Sequence, residues 1–288
     1  MSRIVPVAVR GALWMCGALL SFSLMAVAAR ELLRSMGSFE ILFLRSLVSF
    51  VLMLAILPRF GLGALRTQLF GLHVLRNVLH FGGQYAWVYA IAMLPLATVF
   101  AIEFTMPVWT ALLAMLILGE RLNRGRAVML ALGVVGVLII LRPGFAVVQP
   151  AALAMLAGAF AYASVNISTK RLVKNDSAFA ILFYMSAIQL PLGLFPALPQ
   201  WVAPGIAELP WIIAIGVAGL VAHYCITRAL HIADAMLVVP IDFLRLPLIA
   251  VVGMLMYGEP LEAQILLGAA VIFAGTYYSI RRESIGRA

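Results

Sequence analysis

At 288 residues, with 65% hydrophobic and 11% charged side chains and a mean hydropathy of +1.10, the chain carries more apolar side chain than a water-soluble domain can hide. It is therefore an integral membrane protein, and spans of about 20 residues each use up its length in about ten helices, which excludes a separate soluble domain. The net charge of +9 does not signal nucleic acid, because the basic residues stand at the ends of apolar runs and form no patch.

Periodicity and charge breaks predict helices over residues 11–29, 38–57, 70–93, 96–118, 126–142, 150–169, 178–198, 209–230, 234–257 and 263–280. Pro58, Pro95, Pro143 and Pro196 fall at or between their ends. The first run is followed by no small-residue cleavage site, so its helix is expected to stay attached. Cys16 and Cys225 each lie inside an apolar run and read as small hydrophobes, not as a disulfide or metal site. With the N-terminus inside, fourteen Lys and Arg residues fall on the cytoplasmic side against three outside, which predicts cytoplasmic termini.

The chain states itself twice. Residues 84–122 align with residues 223–261 at an offset of 139, so that Tyr85 meets Tyr224, Glu103 meets Asp242, Phe104 meets Phe243 and Gly119 meets Gly258. Gly17 and Arg30 match Gly158 and Arg171 at an offset of 141, and Ser46 matches Ser186 at 140. The expected units are residues 1–145 and 146–288, five helices each. An odd number of helices makes the second unit enter the membrane from the opposite face. The expected fold is thus all-α, with ten transmembrane helices in two inverted five-helix repeats.

Leu94-Pro95-Leu96-Ala97, Pro107, Leu118-Gly119-Glu120-Arg121-Leu122 and Gly258-Glu259-Pro260-Leu261 together resemble the drug/metabolite transporter superfamily, specifically its EamA-type ten-helix members. The second copy departs from the first motif, reading Ile232-Ala233-Asp234-Ala235. The resemblance implies a multi-pass carrier of the bacterial inner membrane for amino-acid-like, nucleoside-like or vitamin-like metabolites or xenobiotics.

Ionisable residues inside apolar helices cost roughly 2.5–3.5 kcal/mol each on insertion scales, so they should face a cavity or a partner. They are Arg45, Arg76, His80, Glu103, His223, Asp242 and Arg245. At 1.5 Å per residue, Glu103 and Gln84 lie ~13–15 Å from one face, with Arg45 near the level of Glu103 and Arg76 near that of Asp242. Matching depths predict the pairs Arg45–Glu103 and Arg76–Asp242. Asp242 and Arg245, three residues apart, could instead pair on one helix. Both arrangements also suit charges that only fix helix register. His80 and His223 are candidates for carrying a coupling proton or, equally, satisfied polar residues.

The candidate solute-binding residues are Tyr85, Tyr89, Trp109, Tyr162, Gln84 and His223, because aromatic faces suit a planar or cationic solute. The same rings would serve as packing or interface anchors. Tyr85 and Tyr89 share a helix face, with Trp87 turned away.

The sequence contains no phosphate-binding G-x-x-x-x-G-K-[ST] loop, no G-x-G-x-x-G turn and no H-E-x-x-H pair. ATP-driven transport by this chain, a cofactor and a resident metal are therefore not expected. The reading is a secondary transporter of a small organic metabolite. Its alternative is a membrane-embedded enzyme, or a lipid-processing or flipping subunit, using the intramembrane acids; the shortness of the loops argues against it.

Overall fold

The computed structural model describes residues 7–119, 122–142, 149–232 and 241–285. Its helices are α1 Val7–Leu32, α2 Ser38–Phe60, α3 Phe70–Met93, α4 Leu96–Glu103, α5 Met106–Leu118, α6 Arg124–Leu141, α7 Pro150–Leu172, α8 Ala178–Ala197, α9 Leu209–Ile232, α10 Arg245–Tyr257 and α11 Ala263–Ile285. Among the described residues, eight stretches are long and apolar enough to cross a membrane. Helix α3 is not one of these, although its 24 residues extend ~36 Å. It buries His73, Arg76, Asn77, His80 and Gln84 along one face, and that cost in hydropathy marks it as the polar wall of the interior.

The expected boundaries hold to within a few residues, with one correction. The run 96–118 is not a single helix: α4 stops at Glu103, Phe104 and Thr105 form a turn, and α5 starts at Met106. Pro107 causes the break, since it lacks an N–H and its ring displaces the carbonyl four residues earlier, that of Glu103. The same break recurs in the other half, where a helical turn at residues 241–243 is interrupted at Leu244 before α10, with Pro247 just beyond. Residues 234–240 of the expected ninth helix, the 145/146 boundary, and Glu120 and Arg121 lie outside the described residues.

Packing follows the repeat. Helix α1 packs on α9 and α3 on α7, two contacts that exchange when the halves are exchanged. Helices α2 and α8, and α6 and α11, each pack on their own counterpart, and α4 meets α10. This is the inverted-repeat arrangement, with the halves interleaved. The glycines closing α5 and α10 have a local cause as well: Gly119 and Gly258 both take left-handed φ values, 68° and 64°, to cap their helices.

Close approach of α3 and α7 depends on Gly83 and Gly158. A Cβ on Gly83 would stand 2.9 Å from Tyr162 Cε1, and one on Gly158 would stand 3.3 Å from the Gly83 carbonyl. That contact sets the Tyr162 ring against α3 at the depth of the polar wall.

Candidate functional site

The two helix breaks meet. Phe104 and Phe243, which are counterparts in the repeat, stack with centroids 4.3 Å apart and 20° between planes. Glu103 is the last residue of α4 and Asp242 lies in the helical turn 241–243 just before the second break, so both carboxylates arrive at the junction of the halves. Arg245, the first residue of α10, serves both: its Nη2 donates to Glu103 Oε1 at 3.3 Å and lies 3.6 Å from Asp242 Oδ2. Trp87 Nε1 donates to the other Glu103 oxygen at 3.0 Å. The guanidinium lies 4.7–5.1 Å from the ring centres of Phe22, Phe100 and Phe104, a largely desolvated setting in which cation–π attraction supplements the ion pairs.

From this network a line of rings crosses the interior. Phe22 of α1, under Arg245, is edge-on to His223 of α9 at 5.7 Å. His223 lies 6.1 Å from His80 of α3, and His80 lies 5.7 Å from Tyr162 of α7. Gln189 of α8 reaches His80 with Nε2 to Nδ1 at 2.8 Å, and Gln84 stands one turn along from His80. Five spans and both breaks thus contribute to one continuous strip of charge, imidazole and aromatic surface.

Arg45 and Arg76 do not pair as their depths predicted. Arg76 Nε donates to Thr169 Oγ1 at 2.8 Å and its Nη1 to Asn77 Oδ1 at 2.7 Å. Arg45 faces α9, where its guanidinium lies against Gly219. The rise per residue fixes height but not direction around the helix, and the pairing followed the i,i+3 neighbour of Asp242 instead.

The aromatic candidates divide. Tyr162 and His223 lie on the strip, with Gln84 beside it. Tyr85 lies on the exposed stripe of α3, 36% accessible, stacked on Phe39 at 4.5 Å. Tyr89 packs against the main apolar core, and Trp109 fits between α5 and α7, edge-on to Phe160 at 5.7 Å. Trp87, expected to turn away, turns inward to Glu103. Sequence reasoning missed Phe22, Gln189 and Trp87. Gln189 carried a signal as an amide inside an apolar run, whereas nothing in the sequence distinguishes Phe22 from other helix phenylalanines.

The fold and this interior define an inverted-repeat membrane carrier. The chain belongs to the EamA-like transporter family, whose sequence profile matches it twice, over residues 9–142 and 149–281. It is similar to the S-adenosylmethionine uptake transporter of Rickettsia prowazekii (28% identical over 273 residues, 95% of this chain and 93% of that protein). It is also similar to the riboflavin transporters of Vibrio cholerae (32% over 281 residues, 96% and 94%) and Rhizobium johnstonii (33% over 279 residues, 96% and 92%). A solved crystal structure shares the fold with a TM-score of 0.65 at 17% identity, covering 93% of this chain and 96% of that one. The chain is a multi-pass membrane transporter of small organic solutes and not an enzyme.

Proposed function

We propose that the chain carries a small metabolite with a planar heteroaromatic ring across the bacterial inner membrane by alternating access. The observation that carries this reading is the meeting of the two helix breaks at Phe104 and Phe243, with Arg245 bridging an acid from each half. Helices broken at mid-membrane expose backbone and side-chain polar groups only where they line a passage. The ring strip from Phe22 to Tyr162 offers flat faces beside that junction, and the relatives named for S-adenosylmethionine and riboflavin both move solutes with fused planar rings.

In this reading residues 1–145 and 146–288 are the two units that rock against each other, and both termini are cytoplasmic. Glu103, Asp242 and Arg245 form the polar centre, and His80 and His223 are the groups that a coupling proton would use. The test is counterflow: purified protein in liposomes preloaded with unlabelled S-adenosylmethionine or riboflavin should transiently concentrate the labelled solute. No accumulation of either solute, nor of adenosine, would reject a planar heteroaromatic cargo.

A further inference from the structure

Arg45 is 6% exposed, its Nε is buried without a hydrogen-bond partner, and no carboxylate among the described residues lies within ion-pair distance of it. Glu40, buried on α2 itself, forms no ion pair among the described residues and accepts from the Val202 N–H, and the other interior acids are held by other cations. Glu103 and Asp242 share Arg245, Asp176 holds His73, and Glu259 holds Arg30. A buried guanidinium left in this state is unfavourable unless something else supplies the anion.

The fold itself does not require a cation there. At the offset of 140 that aligns Ser46 with Ser186, the counterpart of Arg45 is Met185, an apolar residue just as buried. Opposite Arg45 stands Gly219, whose counterpart at the offset of 139 is His80. A Cβ at Gly219 would stand 3.2 Å from both Nε and Nη2 of Arg45, so the absence of a side chain there makes room for the guanidinium. The contact of α2 with α9 therefore has Arg45 and Gly219 where its repeat-related contact, of α8 with α3, has Met185 and His80. Gly219 lies one turn before His223 on α9, which brings the guanidinium to the ring strip.

We propose that Arg45 is the binding group for a carboxylate on the transported solute, held between α2 and α9 while the planar part of the solute lies on the ring strip. A single guanidinium fork matches a single carboxylate in charge and in geometry. The proposal rests on the solute site argued above and narrows its cargo to acids and zwitterions. Glu103 and Asp242 sit on the far side of Phe22 from His223, where the positive end of a zwitterion would be placed.

The test uses the full chain in nanodiscs, thermally unfolded with sodium benzoate, with benzamide, and with sodium chloride at matched ionic strength. Benzoate at about ten times its Kd should raise the wild-type Tm by roughly 3–5 °C, and benzamide should not. Arg45→Gln should lose the benzoate response without unfolding earlier in chloride. Gly219→Ala keeps the charge but crowds it, and should weaken the response several-fold; Arg45→Lys should retain part of it. Equal responses to benzoate and benzamide, no wild-type response, or a response unchanged in Arg45→Gln would each overturn the proposal. So would an Arg45→Gln protein that unfolds well below wild type in chloride, which would make Arg45 structural. Failed counterflow beside an intact, Arg45-dependent benzoate response would reject the heteroaromatic cargo and leave the anion site standing.

Discussion

Arg245 and Glu103 lie 142 residues apart in sequence and meet at 3.3 Å, in the place where each half of the molecule interrupts a helix. Removing the arginine alone leaves two carboxylates buried without a counter-charge. Arg245→Met should therefore cost about 3–5 kcal/mol of stability, while Arg245→Met with Glu103→Gln and Asp242→Asn should recover most of it. Unfolding in mixed micelles reads both, and strictly additive losses would show that the three groups are not coupled.

A second ion pair closes one end of the bundle. Arg30 donates to Glu259 Oε1 at 2.6 Å and to the Leu94 carbonyl at 2.7 Å, and the Leu96 N–H donates to Glu259 Oε2 at 2.7 Å. These bonds fasten the end of α1, the α3–α4 turn and the segment after α10 to one another. Glu259→Gln should loosen that end. In a background lacking Cys16 and Cys225, a cysteine placed at Ala92, in the small cleft beside Arg30 and Tyr257, should react with an impermeant maleimide about tenfold faster. An unchanged rate would mean that the pair does not hold this end closed.

Gly83→Ala tests the seating of Tyr162. Its added methyl would come within 2.9 Å of the ring, and overpacking of this kind costs about 1–3 kcal/mol unless α3 and α7 move apart. The variant should be both less stable and weaker in solute affinity, whereas Gly82→Ala, which meets nothing within 4 Å, should change neither. Thermal unfolding and counterflow on both variants separate the two positions.

The charge asymmetry predicts that both termini lie in the cytoplasm. A phosphatase fusion at the C-terminal end should be inactive and one near Gln200 active. The reverse pattern would invert the assigned orientation, including which face the Arg30–Glu259 pair closes.

Much of the fold was legible because apolar length, proline punctuation and the internal repeat are one-dimensional signals. The repeat even paired Glu103 with Asp242 and Phe104 with Phe243, and these are the residues found at the junction. The helix break was less visible: Pro107 was noted as a family feature, but its effect on the Glu103 carbonyl depends on backbone geometry. Charge partners were legible only as far as depth goes. Arg45 had the right height for Glu103, yet it points at α9, because direction around a helix is set by neighbours that a single sequence does not name. The same limit applies to Tyr85 and Tyr89: their spacing puts them on one side of α3, but only the structure shows Tyr85 stacked on Phe39 at the exposed stripe and Tyr89 against the apolar core.

The most direct test of the site is a comparison of Tyr162→Leu with Tyr85→Leu in the same proteoliposome counterflow assay, using whichever of S-adenosylmethionine or riboflavin the wild type accumulates. Tyr162→Leu should weaken apparent affinity about tenfold, through lost stacking and the lost hydroxyl, while reaching the bilayer in normal amount. Tyr85→Leu should transport with wild-type affinity. A large loss in Tyr85→Leu with Tyr162→Leu unchanged would contradict the account and move the solute from the strip between the repeats to the α2–α3 face.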